Sequence, residues 1–170
     1  MRCLALAVLL SALAPTLAAG AASAGEAPDY APLKLYDGAW KARFADSKGA
    51  PQVVTIANSC ARVGVNFACQ QSVDGAPGGT TLFLPGAARG QWRTRRVSPT
   101  GEAGGEAGAL TIEGPVWTFL DQEKTAAGVA WTRNINRFSG PDRIHFEIAA
   151  SSDGKTWTPG LAGDEVRVQP

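Results

Sequence analysis

The chain has one histidine in 170 residues, and that scarcity removes much of the usual catalytic chemistry. A Ser-His-Asp or Cys-His nucleophile system has to use His145. There is no Gly-x-Ser-x-Gly elbow. Gly104-Gly105 opens no helix, so it is not a phosphate cradle. Cys60 and Cys69 with a single histidine make a poor zinc set, and Asp142, Asp153 and Glu147 show no ligand spacing. We therefore assign no catalytic residue, no metal ligand and no cofactor from the sequence. Charge of one sign is also missing: 16 Lys+Arg stand against 15 Asp+Glu. Arg2 falls in an expected leader, and without it the chain is formally neutral. A neutral chain gives no electrostatic argument for nucleic acid or for an anionic membrane. Finally, no long segment repeats apolar residues every 3.6 positions; only Pro32–Tyr36 suggests a short turn of helix.

What is present begins with the N-terminus. Met1-Arg2 is positively charged, Cys3 to Leu17 is apolar, and Ala22-Ser23-Ala24 is a small-residue cleavage pattern. This predicts an export signal over 1–24, removed before Gly25. A membrane anchor needs about 20 unbroken apolar residues, and Pro15 breaks this run, so no anchor is expected after cleavage. Cys3 precedes the apolar run and is lost with the leader. Ala and Gly richness suggests a bacterial gene, which makes the expected location periplasmic or secreted. Removing 1–24 leaves 146 residues. We read 25–36 as a lead-in and 37–170 as one domain, long enough to bury about 68–70% of its unfolded surface.

Cys60 and Cys69 remain. An oxidising compartment favours pairing them, and the local pattern agrees. Val53–Ile56 and Val65–Ala68 read as strands with Gly64 between them. A hairpin folded about Gly64/Val65 sets Cys60 opposite Cys69, where Cβ atoms lie roughly 4.5–5.5 Å apart. Such a short loop contributes ~2–3 kcal/mol. A free buried pair and a metal pair are the alternatives.

The remainder reads as β, with Gly and Pro punctuating short Val, Ile, Thr, Phe and Trp runs. Strands are predicted at 38–45, 52–60, 65–73, 79–84, 90–98, 108–113, 115–121, 127–138, 142–151 and 164–169. Asp74-Gly75, Gly140-Pro141-Asp142 and Asp153-Gly154-Lys155 supply turn chemistry; Pro99 to Gly108 is a loop with no apolar anchor. A meander of about ten antiparallel strands removes its edges by closing into an up-and-down barrel, and a two-sheet sandwich is the rival. In 142–151, Ile144, Phe146 and Ile148 share one side, while Arg143, His145 and Glu147 share the other. In 127–138 both sides are mixed: Trp131, Arg133, Ile135 and Arg137 against Thr132, Asn134, Asn136 and Phe138. That strand lines a partly polar cavity or sits at an edge.

Tyr36-Asp37-Gly38-Ala39-Trp40, at the start of the first strand, resembles the Gly-x-Trp motif of lipocalins and related calycin barrels. Phe138–Ile144 and Ser151–Trp157 resemble segments of a group of exported, lipocalin-like bacterial proteins. The resemblance implies an all-β antiparallel barrel of about ten strands with a small-molecule site at its mouth. It also implies that Gly38 and Trp40 are structural, with Trp40 packing at the closed end under an arginine, Arg133 or Arg137. Nitrobindin-like haem barrels are similar in outline, and His145 is the only match to their haem-binding histidine. Its place between Arg143 and Glu147 reads instead as solvent-facing or salt-bridged.

The function expected from these residues is binding of a small hydrophobic or amphipathic molecule, with no catalytic residues identified. Inward positions of the middle and late strands are the expected ligand-binding residues: Trp92, Trp117, Phe119, Trp131 and Arg133. Two polar sets are candidates to orient the molecule. One is Arg89, Arg93, Arg95 and Arg96; the other is Trp131, Arg133, Asn134 and Asn136. The alternative is an envelope interaction or inhibitor module whose barrel is filled by its own side chains.

Overall fold

The computed structural model describes residues 28–104, 108–126 and 128–168. The expected leader lies outside them. A 3₁₀ turn at Pro32–Tyr36 precedes ten strands: β1 Gly38–Ala45, β2 Pro51–Val63, β3 Asn66–Val73, β4 Ala76–Pro85, β5 Gln91–Val97, β6 Gly108–Glu113, β7 Val116–Thr125, β8 Gly128–Phe138, β9 Arg143–Ser151 and β10 Thr158–Arg167. Each pairs antiparallel with its sequence neighbour, and β10 pairs with β1 to close the barrel. The sandwich alternative is thereby excluded. The last strand begins six residues earlier than its predicted start at 164. Pro159 and Gly160 hide it in the sequence, and the β9–β10 register shifts between Pro159 and Ala162, a bulge where proline and glycine are tolerated.

Strand direction gives the barrel two ends. The hairpins between β2 and β3, β4 and β5, β6 and β7, and β8 and β9 lie at the end where β1 starts. That end is filled. Leu33, Trp40, Phe67, Trp92, Leu110, Trp117, Phe138 and Ile144 are buried there in one cluster, with Tyr30 and Tyr36 packed against it. The lead-in is therefore part of the barrel floor from Tyr30 onwards. Leu33 is fully buried, and the Tyr30 ring lies 5.4 Å from Trp92.

The arginine over Trp40 is neither Arg133 nor Arg137. It is Arg167, whose guanidinium carbon is 4.2 Å from the ring centroid. β10 runs beside β1 and pairs Arg167 with Trp40, whereas Arg133 and Arg137 face outward from β8. Arg167 also donates to Asp142 Oδ1 at 2.9 Å and to the carbonyls of Asp37, Leu35 and Pro141 at 2.5, 2.8 and 3.1 Å. Gly38 has φ +103°, and a Cβ there would meet Arg167 Nη1 at 2.9 Å. Gly38 therefore lets the chain turn into β1 beneath the guanidinium.

Cys60 and Cys69 are direct partners in the β2–β3 ladder and form a disulfide, with Cα atoms 4.1 Å apart. Among the described residues no helix is long and apolar enough to cross a membrane.

Candidate functional site

Above the aromatic floor the barrel is not filled. A cavity of about 280 Å³ opens toward the end where β1 finishes. Its apolar wall includes Phe44, Phe83, Phe119, Phe146 and Ile148; its polar wall includes Asn58, Thr94, Asn134, Asn136 and Glu165, with Tyr36 below. The two-residue period of each strand sends these side chains to one face. Asn134 and Asn136 point the same way as buried Phe138, and Thr94 the same way as buried Trp92.

Tyr36 joins floor to cavity. Its ring packs on Trp117, Phe119 and Phe138, with centroids 5.1, 6.1 and 6.1 Å away. Its hydroxyl accepts a hydrogen bond from Asn136 Nδ2. Burial, and secondarily the charge of Glu165, push the phenol above its ordinary value. Asn58 Oδ1 accepts from Gln71 Nε2 at 3.3 Å on the opposite wall.

Several polar atoms of this wall have no partner in the protein. Thr94 Oγ1, Asn134 Oδ1 and Asn136 Oδ1 are buried and unsatisfied, and Thr94 and Asn136 are each only 3% exposed. Leaving such a group unpaired costs about 1–3 kcal/mol, so water or a ligand is the expected partner. Glu165 stands on β10 between Ala42 of β1 and Ile144 of β9. Desolvation lifts its carboxyl from an ordinary 4.5 to about 7. Near the mouth, Arg96 Nη2 lies 3.7 Å from Asp121 Oδ2. Gly108 makes room for that side of the wall: a Cβ there would overlap Asp121 Oδ1 and lie 2.5 Å from Thr94 Oγ1.

The five residues expected to bind ligand separate into three places. Phe119 lines the cavity. Trp92 and Trp117 are buried in the floor. Trp131 and Arg133 point outward, because inward-facing Asn134 fixes the opposite direction for its neighbour Arg133. The Trp131 ring covers Gly154, and the Arg133 guanidinium stacks 4.4 Å over Trp157. The second polar set is thus divided between two faces, with only Asn134 and Asn136 inside. Of the first set, Arg96 reaches the cavity, Arg93 and Arg95 are exposed, and Arg89 pairs with Asp29 at 3.2 Å. Tyr36, Thr94 and Glu165 were missed. Thr94 shares Trp92's parity, which was a usable signal. Glu165 had a misleading one, since Val166 and Val168 alternate with it and read as the inward side of the strand.

His145 is on the outer face. Its Nδ1 lies 2.9 Å from Asp164 Oδ1 and its Nε2 3.6 Å from Glu147 Oε1. The cavity wall contains no histidine, so these residues do not fit a histidine-ligated haem inside the barrel. Among the described residues no cluster of three or more His, Cys, Asp or Glu is placed to hold a metal ion.

No protein-family model and no curated protein matches the chain. Among solved structures, the chain is similar to Rv2717c from M. tuberculosis, with a TM-score of 0.51 and 16% identity across 82% of this chain and 97% of that one. It is also similar to the S-type phycobiliprotein lyase CPES from Guillardia theta, with a TM-score of 0.48 and 13% identity across 81% of this chain and 90% of that one. The closed ten-strand antiparallel barrel and the first of these likenesses together show a lipocalin-like fold.

Proposed function

We propose that this protein is an exported carrier that holds a small, partly apolar molecule in the open half of its barrel. One observation carries the reading: a cavity of about 280 Å³ walled by aromatic rings that also contains buried polar atoms without partners. Apolar walls with a few orienting polar groups are what small-molecule sites share, and drug-sized sites run about 300–1,000 Å³. The size therefore favours a molecule with a single ring or a short chain. The interaction-module alternative expects a filled barrel, and the unfilled upper half weighs against it. Export is supported by the leader pattern and by the Cys60–Cys69 disulfide.

Native and denaturing mass spectrometry of protein purified gently from the periplasm test this. A mass present only in the native spectrum is expected. A bare native mass, with no thermal shift from any of a set of small aromatic and aliphatic compounds, would overturn the carrier reading.

A further inference from the structure

The open half of the barrel carries a distinctive balance of charge. Three charged residues line the cavity: Arg96, Asp121 and Glu165. Arg96 and Asp121 offset each other near the mouth, 3.7 Å apart. Glu165 lies deeper, and among the described residues no hydrogen bond or ion pair reaches its carboxylate. Its backbone neighbours across the sheet are Ala42 and Ile144, so β1 and β9 supply only apolar side chains beside it. Lys41, Arg43, Arg143 and His145 alternate to the outside. From the 3₁₀ turn Tyr36 faces it, neutral at ordinary pH. Arg167, on the same face of β10, is held over Trp40 and by Asp142, so the cavity interior has one carboxyl without an ion-pair partner, ionised as pH rises through about 7.

The other walls suit a cation. Phe44, Phe83, Phe119 and Phe146 line the same space, and ring faces attract ammonium groups, most strongly where water is excluded. Asn134 Oδ1, Asn136 Oδ1 and Thr94 Oγ1 are acceptor atoms without donors.

We infer that the molecule held in this cavity is a small organic amine, bound as its ammonium against Glu165 with its apolar body among the phenylalanine rings. This rests on the carrier reading and names the chemical class of its cargo. A carboxylate or phosphate ligand would meet ionised Glu165 with like charge, and a wholly apolar one would leave its carboxyl and the acceptors unpaired. Burial of Glu165 disfavours its charged form, so the bound ammonium replaces the hydration that the site denies. Binding should consequently strengthen as pH rises through about 7, because amines stay protonated across that range.

The test is calorimetric titration of the folded, disulfide-bonded protein with three probes of one shape: phenethylamine, phenethyl alcohol and phenylacetate. At about pH 8.5 the amine should bind at least about tenfold more tightly than the alcohol, the low end for a hydrogen bond to a charged group, and phenylacetate should bind weakest. At about pH 5.5, with Glu165 protonated, the preference should largely vanish. Glu165→Gln keeps size and should remove the preference at both pH values; its melting curve shows whether it folds. Equal binding of amine and alcohol, or a preference unchanged in Glu165→Gln, overturns the amine assignment and leaves the carrier reading intact. Failure of all three probes to bind overturns the amine assignment by itself; only a bare native mass joined to a blank thermal-shift screen removes the carrier reading as well.

Discussion

Glu165 is a carboxylic acid in an aromatic cavity, so its proton is linked to folding. In the unfolded chain it ionises near the ordinary value of 4.5; in the barrel desolvation raises this to about 7. An acid whose pKa is raised by folding binds its proton more tightly in the folded state. Its stabilising contribution is full below about 4.5 and is lost as pH rises through about 7. The shift corresponds to at most about 3 kcal/mol. Wild type should therefore lose up to that much between pH ~4.5 and ~7.5, and Glu165→Gln should lose correspondingly less. Urea titrations of both proteins at several pH values read the difference directly. Asp29, Asp46 and Asp153 do not confuse the result. Backbone N–H donors hold all three below their ordinary values, so their stabilisation is lost only as pH falls further, in the opposite direction. Parallel pH profiles for the two proteins would show that Glu165 is solvated rather than buried.

At the scale of elements, most strands were legible because turn residues and alternation agree. β1 and β6 have the boundaries predicted, and the Cys60–Cys69 pairing follows from counting about Gly64. β8 was not legible, since Trp131 and Arg133 look as suitable for a binding site as Asn134 and Asn136. Alternation gives two faces but does not say which is inside. Phe138 decides it: it is buried against Tyr36 and Trp117, so its even-numbered neighbours face inward. β10 was legible only in its second half, and there alternation sets Val166 and Val168 against Glu165 and Arg167, which reads the two charged residues as outward when they face inward. That arginine fastens the 3₁₀ turn, the β8–β9 turn and β1 to one another through four hydrogen bonds and the Trp40 ring. Lysine retains the charge but has no planar fork. Arg167→Lys should therefore cost about 2–4 kcal/mol, measured by denaturant unfolding. A loss below about 1 kcal/mol, within the range of an ordinary surface pair, would mean that the aromatic floor holds these elements without it.

At the scale of the whole molecule, the barrel combines a dry, aromatic closed half with an open half that keeps polar groups unpaired. The closed half provides stability that the open half gives up for its cavity. The disulfide belongs to the closed half, in the β2–β3 hairpin at the end carrying Trp40, Phe67 and Trp92. It closes a short loop: Cys60 and Cys69 are 9 apart in sequence. A cross-link of that length constrains the unfolded chain by only ~2–3 kcal/mol. Ten ladders and the buried floor set the topology independently of it. Replacing both cysteines by alanine should therefore leave a folded barrel that melts lower by roughly 10 °C, as expected for a domain of this size. Circular dichroism should retain the β signal, and the cavity should still bind the probe that the intact protein binds. Collapse to an unfolded chain would instead mean that the disulfide, rather than the aromatic floor, sets the register between β2 and β3. The oxidising compartment would then be a condition for folding and not only a source of added stability.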